Sequence, residues 1–210
     1  MKSSENYENI KITLSPARLA TYEAFTTSSK QALELYYWNL QMSSALFECL
    51  AVCEVVVRNT VAHALKATYG DNWVWNNTFL LSLKDNAKET LTKINVKFDD
   101  IDKIVPELPF FFWQGIFTNR FDSRVWQHQL RQIMPNSSYD NLRVFRKSVF
   151  DDLDRIRKLR NRIAHHEPIF NRQLTIDYEI IIRIIGYRCQ DTAYSLQSRQ
   201  RITSLLDSKP

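Results

Sequence analysis

From Lys30 to Tyr69 the chain carries neither proline nor glycine, and Leu35, Met42, Leu46, Leu50, Cys53, Val57 and Val61 recur at steps of three, four or seven. That spacing places apolar side chains on one stripe of a helix, and Gly70 is a natural stop after it. Leu142, Phe145, Val149, Leu153, Ile156, Leu159 and Ile163 keep the same rhythm and predict a second long helix. Asn136, Ser138 or Asp140 can cap its start, and Pro168 ends it because Glu167, preceding a proline, is pushed away from helical angles. Ser15 before Pro16 predicts an N-cap and first helical position for a short helix reaching about Ala24, followed by a turn over Thr26 to Ser29. A last helix is expected from about Ile176 to Leu206. Between the long helices, Asp71 to Asn136 reads as shorter helices punctuated by Pro106, Pro109 and Pro135. Trp73, Trp75, Phe110-Phe111-Phe112-Trp113 and Trp126 in this stretch are expected to fill the core, with base stacking as the alternative.

Composition narrows the fold class. Gly70, Gly115 and Gly186 are the chain's 3 glycines, and no Asn-Gly or Asp-Gly pair separates alternating apolar runs, so hairpin signals are nearly absent. The expectation is an all-α fold, a helical bundle of four to five main helices plus short ones, forming a single domain over residues 1–210. Leu108 to Trp113 and Ile180 to Ile185 are the strongest apolar stretches and are too short to span a bilayer. The polar start Met1-Lys2-Ser3-Ser4-Glu5-Asn6 lacks the apolar core of an export signal, so a cytoplasmic protein without a membrane partner is expected. Cys49, Cys53 and Cys189 have no metal-type spacing and read as three buried thiols, with no metal and no cofactor implied.

Charge matters through its placement. A net charge of +5 over the chain is modest. The helix before Pro168, however, carries Arg155, Arg157, Lys158, Arg160 and Arg162 near its end, a set suited to a phosphate backbone, or alternatively a solvated helix end that complements the macrodipole. On a wheel with Arg160 at zero, Ala164 falls near about 40°, Asn161 near about 100° and His165 near about 140°. Arginine, asparagine and histidine share one side, small Ala164 leaves room for an approach, and Leu159 and Ile163 turn into the core.

That combination has a definite chemistry. A neutral imidazole can take the proton of a ribose 2′-hydroxyl while an arginine holds the scissile phosphate and offsets charge building on its oxygens. The product is a 2′,3′-cyclic phosphate, no metal is required, and DNA, which lacks the attacking hydroxyl, is not a substrate. Catalytic roles therefore fall to Arg160 and His165, with Asn161 and His166 supporting and Arg155, Arg157, Lys158 and Arg162 binding RNA. His166 is the alternative base, although the spacing favours His165.

The pattern occurs twice. Arg58-Asn59-Thr60-Val61-Ala62-His63 repeats R-N-x-x-A-H about a hundred residues before Arg160-Asn161-Arg162-Ile163-Ala164-His165. It can be a second half-site, a buried helix in which Glu54 pairs with Arg58, or a supporting layer in which Glu54, Arg58 and Asn59 orient Arg160 or His165 from a facing helix. His63 belongs to the same candidate set.

The Arg160 to His165 motif, followed by His166-Glu167-Pro168-Ile169-Phe170, resembles the signature of the HEPN superfamily in its Abi-like (abortive infection) branch. The likeness extends to Leu14-Ser15-Pro16-Ala17-Arg18-Leu19, Leu35-Tyr36-Tyr37-Trp38-Asn39, Glu54-Val55-Val56-Val57-Arg58-Asn59, Gly70-Asp71-Asn72-Trp73, and Phe112-Trp113 ahead of Trp126. The resemblance implies a HEPN-like helical bundle, frequently a homodimer, acting as a ribonuclease in antiphage defence or a toxin-antitoxin system, with Arg160 and His165 as the catalytic positions. It adds a protein or RNA antitoxin as a further partner. A dimer also answers a chemical need, because one motif supplies one histidine of the acid/base pair that transesterification uses. Some members of the superfamily bind nucleotides or partners without cleaving, so a non-catalytic RNA- or partner-binding module is the competing expectation, and a helical scaffold without nucleic acid a third. No phosphate-binding glycine loop, nucleophile elbow or His-Glu-x-x-His is present to support another enzyme class.

Overall fold

Asn6, Ser28, Asn76 and Asn141 each turn a side-chain oxygen onto a backbone N–H that would otherwise lack a partner, and each starts a helix. The computed structural model describes residues 6–210; the expectation about the start of the chain rests mainly on residues 1–5, which lie outside them. The described residues form α1 (Tyr7–Leu14), α2 (Pro16–Glu23), α3 (Ser29–Tyr69), α4 (Asn77–Ser82), α5 (Asp85–Asn95), α6 (Ile101–Glu107), α7 (Phe110–Ile116), α8 (Gln127–Ile133), α9 (Leu142–Ala164), α10 (Leu174–Arg188), α11 (Gln190–Gln197) and α12 (Ile202–Asp207). Short 3-10 turns at Trp73–Trp75 and Asn119–Phe121 and a π turn at Asp122–Trp126 complete the path, with no strand among the described residues. The fold is all-α, as the periodicity predicts.

The long helix α3 is the axis. It packs against α2, α7, α8, α9, α10 and α12, and its buried stripe joins one hydrophobic cluster that runs from Leu19 to Ile202. By length and composition α3 also qualifies as a membrane-crossing helix, with an 18-residue window of mean hydropathy 1.6, a longer apolar stretch than Leu108 to Trp113 or Ile180 to Ile185. Here Leu46, Leu50, Cys53, Val57 and Val61 are spent on packing against the other helices. Arg146 fixes the early part of α9 through a largely buried pair with Asp122 at 2.8 Å and a bond to the Phe117 carbonyl at 3.1 Å.

Several local expectations change. The cap of α9 is Asn141, whose Oδ1 accepts from Arg143 and Val144, and not Asn136, Ser138 or Asp140. Ser15 precedes Pro16 with φ 81° and makes no side-chain cap, and a further helix, α1, stands before it. The expected last helix is divided into α10, α11 and α12, because extended backbone at Cys189 breaks it once and the segment after Ser198 breaks it again. Pro106 lies inside α6 instead of between helices. Most of the aromatic run is core, with Trp73, Phe112, Trp113 and Trp126 buried, but Trp75 and Phe111 are exposed at 36% and 38%. Cys49 and Cys53 are buried as expected, whereas Cys189 is only half-buried.

Candidate functional site

The motif occupies the last turns of α9, and the way that helix ends decides what each residue faces. His165, the C-cap, has φ −93° and ψ 10°, and it follows Arg160 by about 140° round the helix. His166 then turns left-handed at φ 56°. The Glu167 N–H donates to the Arg162 carbonyl at 2.8 Å and the His166 N–H to the Ile163 carbonyl at 3.0 Å, a Schellman closure with histidine where glycine is usual. The helix therefore stops several residues before Pro168, by this turn and not by the proline. Leu159 and Ile163 face the core, while Ala164, His165, His166 and Glu167 are exposed, so the motif end presents an open surface.

Three distant segments hold this end in place. Arg18 Nη1 donates to the His166 carbonyl at 2.6 Å. Asn39, only 2% exposed, accepts from the N–H groups of Ile169 and Phe170 at 2.8 and 3.1 Å, which anchors the segment after the motif to α3. Glu54 Oε1 accepts from Arg160 Nε at 3.3 Å. Because that bond uses Nε, the two terminal nitrogens of the guanidinium remain for a ligand, a geometry suited to the paired oxygens of a phosphate.

The earlier motif copy is drawn in only at its Glu54 end. Glu54 bonds Arg160 and not Arg58, and Arg58 donates to Asn59 at 3.3 Å. His63 lies nine residues beyond Glu54, roughly 13 Å along α3, and its Nδ1 meets Arg188 Nη2 at 3.1 Å near the C-terminal end of α10. Helix α10 runs antiparallel to α9, with Arg155 meeting Asp177 and Asp152 meeting Arg183, so Arg188 marks the end of the bundle remote from His165. The two copies do not assemble as half-sites within one chain. Desolvation, and then the charges of Arg188 and Lys66, hold the His63 imidazole below its ordinary pKa.

The basic residues of α9 are largely engaged. Arg155 and Arg172 share the buried Asp177. Arg157 donates to Gln114 at 3.0 Å and to Asp154 at 2.7 Å, and Lys158 pairs with the same carboxylate at 2.7 Å. Bonds from Lys158, then Arg157, lower the Asp154 pKa to about 2. Arg162 donates to the Pro168 carbonyl at 2.6 Å and lies 3.6 Å from Glu167. The positive face is thus weaker than a count of arginines suggests. Lys158 and the terminal nitrogens of Arg160 are its more available parts, Lys158 being 64% exposed. Among the described residues no group of three or more His, Cys, Asp and Glu side chains is placed to hold a metal ion.

Arg18, Asn39, Gln114, Asp177 and Arg188 are structural partners that periodicity does not single out. Arg18 and Asn39 do fall within the segments on which the family resemblance rests, and their bonds to the turn after His165 give those segments a physical reason. A family model described as Abi-like protein matches residues 5–171. The chain belongs to the Abi-like family. The match includes both R-N-x-x-A-H copies, Arg18, Asn39 and Glu54, and ends just after Phe170, so α10, which contributes Asp177, lies beyond it. No curated protein and no solved structure is significantly similar to the chain.

Proposed function

We propose that this Abi-like protein is a metal-independent endoribonuclease of the HEPN type, acting in antiphage defence by abortive infection or in a toxin-antitoxin system. The observation that carries the reading is the convergence of Arg18, Asn39 and Glu54, from three separate segments, on the end of α9 that carries Arg160 and His165. A solvated helix end needs no such support, whereas a site that must hold a phosphate beside a 2′-hydroxyl does.

In this reading Glu54 fixes the Arg160 guanidinium through Nε, and the terminal nitrogens hold the scissile phosphate. His165 takes the proton from the 2′-hydroxyl as its oxygen attacks phosphorus, the bond to the 5′-oxygen breaks, and a proton delivered to that oxygen completes the step. A second protomer supplies the second histidine, so the active species is a homodimer. Asn161 and His166 support the site, as do Arg58 and Asn59 alongside Glu54, while Arg155, Arg157, Lys158 and Arg162 contribute to RNA binding; His63, turned toward Arg188, is structural. The protein is placed in the cytoplasm, where RNA and a restraining protein or RNA antitoxin are at hand.

The competing reading is a module that binds RNA or a partner without cleaving it, and the exposed end of α9 is what favours it. Substitution separates the two. His165→Ala abolishes cleavage and spares RNA affinity in an enzyme, whereas a binder depends on Arg160 and Lys158 far more than on His165.

A further inference from the structure

A second feature lies on the same side of α9. Phe150, Asp154, Arg157, Asn161 and His165 follow at steps of four, three, four and four, so they form one stripe along the helix. At the Phe150 to Arg157 end that stripe walls a cavity of about 280 Å³, closed on the other side by α7 and the start of α5.

The cavity has the makings of a site for a flat, polar-edged ring. Its apolar walls include Phe111 and Phe150; Phe111 is 38% exposed in a run whose other rings are buried, so its face is available. Its polar edge joins the buried Gln114 amide, which donates to Asp154 at 3.2 Å and accepts from Arg157, to a carboxylate and a guanidinium already held in fixed positions. These groups hold one another in place, and the second Gln114 amide hydrogen and the second lone pair of its oxygen stand side by side, the donor and acceptor that the edge of a nucleobase requires. Bonds from Lys158 and Arg157 keep Asp154 ionised, and so an acceptor, across the physiological range.

Gly115 is the telling residue. Glycine weakens a helix relative to alanine, yet no positive φ is recorded at Gly115 and an added Cβ there meets nothing within 4 Å. Neither backbone conformation nor close packing calls for glycine, and Gly115 lines the cavity, so its wall carries no side chain at this position.

We infer that the cavity bounded by Phe111, Gly115, Phe150, Asp154 and Arg157 is a nucleobase subsite, which receives one base of a single-stranded RNA whose backbone continues along α9 to Arg160 and His165. Arg157 and His165 are eight residues apart, roughly 12 Å along the helix, a span that a few nucleotides bridge. The inference rests on the ribonuclease reading for its substrate, and it gives a reading limited to Arg160 and His165 a source of sequence preference.

The test is an amide-detected NMR titration of the full chain with AMP, GMP, CMP and UMP in turn. At least one nucleotide is expected to shift the Gly115 amide and the Gln114 side-chain amide; Gly115→Leu, which adds bulk at the cavity wall, abolishes that response, and Phe111→Ala weakens it roughly tenfold. Phe111→Ala removes an exposed ring, so it keeps the test informative should the leucine variant fail to fold. Nucleotides that leave Gly115 and Gln114 unmoved, or that shift them equally in folded Gly115→Leu, overturn the subsite. The readout does not require cleavage: a protein that cuts RNA while its cavity ignores nucleotides defeats the subsite alone, and one whose cavity responds while RNA stays intact defeats the ribonuclease reading and leaves a nucleotide site.

Discussion

Arg160 Nε donates to Glu54 Oε1 across 3.3 Å, joining the helices that carry the two R-N-x-x-A-H copies through a carboxylate one turn before Arg58. The bond explains why a motif built for one helix is accompanied by a particular acid on another. It also predicts a separation between activity and stability. With side chains 39% and 29% exposed, the pair contributes at most about 1 kcal/mol to folding. Glu54→Ala is therefore expected to lower kcat/KM for RNA by roughly tenfold or more while moving Tm by no more than about 4 °C. Steady-state cleavage beside a thermal melt checks this; a variant that melts early but cuts normally makes Glu54 a stabilising residue and nothing else.

Asn39 is expected to behave in the opposite way. Its Oδ1 satisfies two buried N–H groups, those of Ile169 and Phe170, and alanine leaves both without an acceptor. At about 1–3 kcal/mol for each buried group, Asn39→Ala should cost roughly 2–6 kcal/mol and lower Tm by at least about 4 °C. Circular dichroism melts measure it, and an unchanged midpoint would show that the turn after α9 is not anchored there.

His166 separates position from chemistry. Its φ of 56° suits glycine, and a non-glycine residue there costs about 1–2 kcal/mol. Because His166 supports the site through its backbone in the turn, His166→Gly should hold or slightly raise Tm and retain RNA cleavage, whereas His165→Ala removes cleavage with little change in Tm. If His166→Gly is the variant that loses activity while folded, the catalytic base has been assigned to the wrong neighbour.

Cysteine reactivity reports on the division of the last helix. Burial pushes the Cys49 thiol up to about 11 and raises Cys53 further, whereas hydrogen bonds from Thr192 lower that of half-buried Cys189. A lowered pKa means a larger thiolate fraction at any pH below the ordinary thiol value of 9.0. Alkylation of the native protein followed by peptide mapping should thus mark Cys189 first, its advantage over an unstructured cysteine growing as pH falls toward neutrality. Equal labelling of Cys49 or Cys53 would contradict the packing of α3.

The legible part of the fold is the part governed by local rules. Steps of three and four set α3 and α9 and named Leu159 and Ile163 as core, because burying an apolar stripe is a requirement the chain states residue by residue. Helix ends were less legible: α9 stops at a histidine turn stabilised by Arg18 from far away, and α10 ends at Cys189, where no proline or glycine marks the break. For the site, the sequence named Arg160 and His165 as the candidate pair, but not the partners that other helices bring to Arg155 and Arg157. Asp177 and the Gln114 amide come from other elements, and which arginine meets which acceptor is a product of packing. Periodicity likewise gave no hint that His63 would turn to Arg188.

The most direct measurement is cleavage of end-labelled single-stranded RNA by the purified protein in EDTA, beside Arg160→Ala, His165→Ala and a DNA strand of the same sequence. The account predicts cutting of RNA alone, 2′,3′-cyclic phosphate ends, and loss of cutting in both variants without loss of fold. RNA that is bound and left intact by the wild-type protein, or cutting that survives in both variants, would contradict it.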